Sequence, residues 1–298
     1  MSQHFSHDTA TRDFERQQAL RRAQRMAAQC IMYAVLAFLS FLVLFPFIWM
    51  VFASFKPFDE FLSNFSKVLP VNWTVQNYTI IGDVINLWRG YFNTFVVEIS
   101  VIPCGTFFVS MAAFAFAKLR LRHKTFWLLF LLSGMMVPGA VLLMPRYIAY
   151  RQLNWINTLL PLILPHLLIN VSMMFFFIQY LMGVPSELVD AAKIDGCGYL
   201  TMHITIIIPL MAPAIAAQVI FWFMGIWNDY FAPSVYLTQN DVMTLQAMLA
   251  KLNSTVSGTQ NMPMVFAGAV MSCLPMIVVY VIFQKFFIKS IAIGAVKG

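Results

Sequence analysis

Between Arg25 and Lys56 the chain carries no charged side chain, and residues 28–52 are apolar apart from Gln29, Ser40 and Pro46. About 20 such residues in a helix cross the hydrocarbon core of a bilayer. This run restricts the chain to folds that live in lipid. Composition agrees: 60% of the 298 residues are hydrophobic and 10% charged, against about half and a quarter in soluble domains. Five further apolar runs follow, at 93–117, 126–144, 159–181, 204–226 and 265–287. The expected fold class is therefore all-α, a polytopic membrane protein with six transmembrane helices. Prolines 46, 103, 138, 161, 165, 209, 213 and 275 fall in or beside these runs. Membrane helices tolerate them because neighbouring groups satisfy the freed carbonyls.

Charge placement sets an expected orientation. Segments on one side hold Arg12, Arg16, Arg21, Arg22, Arg25, Lys118, Arg120, Arg122, Lys124, Lys193, Lys285, Lys289 and Lys297. The other side holds only Lys56, Lys67, Arg89, Arg146, Arg151 and Lys251. Basic residues collect on the cytoplasmic side, so both termini are expected on that side. Residues 1–27 are polar and basic and lack the short apolar run of a cleavable leader, so they are expected to stay attached. Cys30, Cys104, Cys197 and Cys273 are widely spaced and form no C-x-x-C pair. They are expected to be small buried apolar residues, not metal ligands or a disulfide framework.

The inner segment 183–205 differs from the other loops. Pro185-Ser186 signals a helix start, with Ser186 as N-cap and Glu187 in the first turn. Leu188, Ala191 and Ala192 follow at helical spacing, and Gly196 is a natural stop. A second short helix is expected after Cys197-Gly198. Small alanines admit a partner surface, while Glu187 and Asp190 offer it charge. The bland reading is an interfacial linker.

Spacing carries the segment further. Asp190-Ala191-Ala192, three residues, Gly196, nine residues, then Ile206-Ile207-Ile208-Pro209 resembles the EAA loop of ATP-binding-cassette (ABC) importer permeases. Asp replaces Glu at 190 and Ile replaces Leu at 208, and both keep charge or shape. Gly225-Ile226-Trp227-Asn228-Asp229 and the ending Phe283-Gln284-Lys285-Phe286-Phe287 through Gly294-Ala295-Val296-Lys297-Gly298 are similar to the carbohydrate-uptake branch, in its MalG-like group. Ser290 departs from that tail.

The resemblance implies a MetI-like, type I importer permease fold. Its parts would be a cytoplasmic N-terminal tail (1–27), a first helix and outer loop (28–90), a five-helix transport domain (91–287) and a cytoplasmic C-terminal tail (288–298). It implies that the loop couples to an ATPase, with Glu187, Asp190, Ala191, Ala192, Asp195 and Gly196 as docking face and bend. Ile206 and Pro209 would set the exit into the fifth span. The implied partners are a second related permease subunit, a cytoplasmic ATPase dimer, an extracytoplasmic solute-binding protein and a carbohydrate substrate. No cofactor, metal or nucleic acid is implied, and no catalytic residue.

The residues themselves exclude ATP hydrolysis by this chain, because no G-x-x-x-x-G-K-[ST] loop is present to cradle phosphates. An ion-coupled transporter would want ionisable groups mid-span or an inverted repeat, and neither is seen. A membrane enzyme would want clustered His, Asp or Glu, whereas the histidines scatter. Polar residues within spans are candidates for a solute path: Asn170, Gln179, Gln218, Trp227, Asn228 and Asp229. Each is equally readable as a helix bridge or interfacial anchor, and so is Glu98. His166 reads as a packed histidine.

Overall fold

The computed structural model describes the backbone of residues 2–256 and 261–295 and the side chains of residues 24–254 and 261–284. The described backbone is helical and contains no strand. The tail beyond residue 295, with Lys297, lies outside the described residues, as do the side chains of the ending from Lys285 onward.

The first apolar run forms part of one long helix, α1 (Ser2–Ser54). The N-terminal tail expected as a separate segment continues into this helix, since no glycine or proline interrupts it before Pro46. The apolar stretch of α1 buries none of its residues. Among its described side chains, only those of the last turns are buried or half-buried. There the Trp49 ring lies 6.3 Å from Phe61, 5.2 Å from Phe65 and 5.4 Å from Phe266, between centroids. Ala53 and Ser54 are fully buried beside it.

Residues 55–86 fold into a cap containing α2 (Phe58–Ser63) and α3 (Gln76–Val84). Its buried polar groups hold it together. Asn77 Nδ2 donates to the carbonyls of Ser54 and Lys56, both at 2.8 Å. The Glu60 carboxylate accepts from Val71 N–H at 2.6 Å and Asn72 N–H at 2.8 Å. Lys56, completely buried, spends its ammonium on the carbonyls of Asn64 and Lys67. The Val71 N–H, more than any other group, holds the Glu60 carboxyl below its ordinary range.

The central element is α4 (Leu87–Lys118), capped by Asn86 Oδ1 accepting from Arg89 N–H at 3.0 Å. Asn93, Val97, Val101, Gly105, Val109 and Ala113 recur every fourth residue and form its buried face, as one stripe of a packed helix should. Against it lie α7 (Leu160–Leu168), α8 (Val171–Met182) and α12 (Ala212–Asn228). Gly105 permits the approach: a Cβ there would overlap the Trp222 ring and stand 3.0 Å from the His166 carbonyl oxygen.

Among the described residues, four helices are long and apolar enough to cross a membrane, and a bent pair makes five. The third expected run, 126–144, is not one helix. It gives α5 (Lys124–Gly134), an irregular turn, and α6 (Leu143–Gln152). Gly134 and Pro138-Gly139 interrupt the backbone ladder between them. In the fourth run, α7 and α8 meet at Ile169 and Asn170 within Leu160–Met182. The fifth run bends by 81° between Tyr199–Leu210 and Ala212–Asn228. Pro209 and Pro213 flank the bend at buried Met211. Its first half comprises α10 (Tyr199–Met202), a π-helical turn (His203–Ile207) and α11 (Ile208–Leu210). The segment after α12 holds α13 (Phe231–Tyr236) and α14 (Leu245–Val256), and α15 (Met262–Ala295) closes the bundle.

The cysteines depart from expectation. All four are free thiols, but Cys30 and Cys104 are exposed on helix faces and the other two are half-buried. An apolar side chain in a membrane helix has no need of a protein interior.

Candidate functional site

The loop 183–205 forms α9 (Glu187–Ile194) and then α10, as its spacing predicts. Ser186 occupies the N-cap position, but its hydroxyl makes no capping bond. The C-terminus is closed more firmly. Gly196 takes φ +75°, its N–H reaches the Lys193 carbonyl at 3.0 Å, and Cys197 N–H reaches the Ala192 carbonyl at 2.9 Å. This pair of bonds is a Schellman motif, which satisfies the last carbonyls and requires the left-handed residue.

The helix has two distinct faces. Val189 and Ala192 turn inward and are buried. Glu187, Leu188, Asp190, Ala191, Ile194 and Asp195 face out. Ile194 is 86% exposed, with Tyr199 and Leu200 also exposed just beyond the bend. Ala192 thus seats the helix, and the apolar outward surface comes from Leu188, Ile194, Tyr199 and Leu200. The exposed Asp190–Lys193 pair at 3.6 Å adds little stability.

Both ends of the loop are fastened to the core helix α4. Lys118, in its last turn, donates its ammonium to the Val184 carbonyl. At the other end His203 is completely buried. Its ring stacks on Phe114 at 6.1 Å, meets Phe107 edge-on at 5.4 Å, and lies 3.3 Å from Ser110 Oγ. A short rigid helix held at two points can pass a push to the bundle as rigid-body motion. Ile206 packs partly against the core, and exposed Pro209 opens α11 just before the bend. Sequence reasoning noted the charge of Lys118 but not its bond, and His203 carried no signal beyond being polar in an apolar run.

The polar residues singled out within the spans have varied surroundings. Asn170 caps α8, its Oδ1 accepting from Met173 N–H at 3.0 Å. Gln179 is exposed and Gln218 half-buried. Trp227 is completely buried, donating from Nε1 to the Ser272 carbonyl at 3.0 Å and packing on Tyr91, Phe95 and Phe223. It ties α12 to α15 and has no open face. Asn228 returns its amide to the Met224 carbonyl at 2.9 Å. Glu98 is buried at 3% exposure, and neither carboxyl oxygen has a partner among the described residues.

Asp229 differs from the rest. Its Oδ1 accepts from Phe231 and Ala232 N–H at 3.1 and 3.3 Å, starting α13. The same side chain lines a cavity of about 210 Å³ at the opposite end of the bundle from α9. Arg146 and Tyr150 of α6, His166 of α7 and Tyr236 of α13 line it too. His166, expected as a packed histidine, therefore reaches an open space. No sequence signal pointed to Arg146, Tyr150 or Tyr236, because they converge only after folding, from segments up to 90 residues apart.

Comparison with known proteins fits this architecture. The family described as binding-protein-dependent transport system inner membrane component matches residues 105–293. The arabinooligosaccharides transport system permease protein AraQ of Halalkalibacterium halodurans is 33% identical over 265 residues, covering 88% of this chain and 94% of that one. The trehalose/maltose transport system permease protein MalG of Thermococcus litoralis is 27% identical over 263 residues, covering 87% and 94%. The fold is shared with a chain in the crystal structure of a bacterial ABC transporter involved in the import of the acidic polysaccharide alginate. That match has a TM-score of 0.74 at 22% identity, and it covers 86% of this chain and 95% of that one. With its multi-pass apolar helices and no enzyme among these relatives, the chain belongs to the binding-protein-dependent transport system inner membrane component family, as a permease subunit.

Proposed function

We propose that this chain forms half of the translocation path of an ATP-driven carbohydrate importer. A separate cytoplasmic ATPase dimer drives it through the loop 183–205. A second, related permease subunit completes the path, and an extracytoplasmic binding protein delivers the solute. Both termini and α9 face the cytoplasm, and the cap 55–86 and the cavity at Asp229 face outward. The distribution of lysine and arginine supports this orientation. The names of the relatives, which include arabinooligosaccharides and trehalose/maltose, support a carbohydrate.

The observation that carries the coupling role is the construction of α9. Val189 and Ala192 seat it, Gly196 closes it, Lys118 and His203 fasten its flanks, and an apolar outward face is left without cover. Exposed apolar surface of this kind marks a partner interface. Gly196→Asp and Ala192→Arg test the role in vesicles holding the complete importer. Both variants are expected to reach the membrane and lose ATP-driven uptake. Aspartate at 196 would sit at a positive φ that side chains rarely adopt, and arginine at 192 would push α9 off its seat. Wild-type uptake in either variant would refute the role.

A further inference from the structure

Resting on the importer reading above, we propose that the outer cavity is a binding site for one neutral sugar ring of the passing solute. The cavity combines apolar walls with five polar groups: the Arg146 guanidinium, the Tyr150 and Tyr236 hydroxyls, the His166 imidazole and the Asp229 carboxylate. Ligand sites are recognised by this mixture of apolar lining and a few convergent polar groups.

The polar groups are uncommitted. Arg146, Tyr150, His166 and Tyr236 make no side-chain hydrogen bond or ion pair with another described residue. Asp229 uses only Oδ1, on the α13 backbone, so Oδ2 remains available. Tyr150 and Tyr236 are only 8% and 3% exposed, and their hydroxyls, which bond no other described residue, are left open to the cavity and not buried. Their rings are held firmly: Tyr150 stacks on Trp155 at 5.7 Å and meets Tyr236 edge-on at 5.2 Å. A rigid wall of two tyrosines suits the C–H face of a pyranose or furanose, and the hydroxyls around the ring can bond both donors and acceptors.

Size and charge narrow the occupant. At about 210 Å³ the space is smaller than the roughly 300–1,000 Å³ of sites for drug-sized ligands, so it seats one ring and leaves the remainder of an oligosaccharide outside. The Arg146 cation and the Asp229 carboxylate balance, so the site requires no net charge from its occupant. The cavity also sits where α6, α7 and α13 meet, at the end where a delivered solute arrives.

The test uses the complete importer in proteoliposomes, with arabinotriose, maltotriose, lactose and diacetylchitobiose as probes. The variants are Tyr236→Phe, which removes one hydroxyl and keeps the ring, and Arg146→Gln. The measured quantity is sugar moved per ATP hydrolysed, compared with wild type. Each variant is expected to lower it by about fivefold for the transported sugar, the factor set by one lost hydrogen bond. An unchanged ratio in both variants overturns the site and leaves the importer reading standing. Wild-type complex that moves none of the four sugars overturns the neutral-sugar reading itself, and the site with it.

Discussion

The two ends of the bundle are built by different means. At the α9 end, a contiguous stretch of about twenty residues carries its own start, faces and stop, and two side chains fasten it to α4. At the other end, the cap and the cavity are assembled from segments distant in sequence. Asn77 closes on Ser54 and Lys56, Asn93 donates to the Asp241 and Met243 carbonyls, and Asn157 Oδ1 accepts from Thr238 N–H. A device that takes force must be locally rigid. A mouth that receives a solute can be shaped by several elements that shift against each other. The comparison predicts that damage at the first end uncouples, while damage to the cap at the second end destabilises.

The largest expected effect breaks the fastening of α9 without touching the helix. Lys118→Met combined with His203→Leu should lower uptake per ATP hydrolysed by roughly 5- to 150-fold, the usual span of coupling energies. Thermal stability in detergent should change less than uptake does. Equal losses of both would mean that the two contacts serve folding alone.

A middle-sized effect is expected at Asn77. Alanine there leaves two buried carbonyls unpaired, at about 1–3 kcal/mol for each group left unsatisfied. A lower melting temperature with uptake per ATP intact is the predicted outcome. Uncoupled ATP hydrolysis would erase the distinction between α9 and the cap.

The smallest effect concerns Glu60, whose carboxyl is held below its ordinary range chiefly by the Val71 N–H. A depressed value means that the carboxylate's stabilisation is complete above the unfolded value, about 4.3. It is lost as pH falls through the lower folded value. Melting curves of wild type should therefore decline toward acid, and Glu60→Gln should show a lower melting temperature at neutral pH and a shallower acid decline. Parallel curves for the two proteins would remove Glu60 as the cause.

What the sequence disclosed follows the same division. The α9 loop was legible because its signals are local: Pro185-Ser186, the small alanines and Gly196 act within a few residues of one another. The apolar runs were legible for the same reason. The third run misled because hydropathy averages over Gly134 and Pro138-Gly139, whereas the backbone ladder breaks there. The cavity was mostly illegible. Of its polar lining only Asp229 stood out, through a motif that serves α13 locally, while Arg146, Tyr150 and Tyr236 acquire meaning only through long-range packing. Trp227, from the same motif, instead spends its indole N–H on Ser272, a choice that no local pattern announces.

The central claim, that the outward face of α9 docks on a separate ATPase, is tested most directly by Ile194. This side chain is 86% exposed at the end of the helix. With Ile194 replaced by photoreactive benzoylphenylalanine in the complete importer, illumination should join this chain covalently to the ATPase subunit and stop ATP-driven uptake. An assembled complex that shows ATP-driven uptake but gives no such adduct, or gives one only to lipid or the partner permease, would contradict the claim.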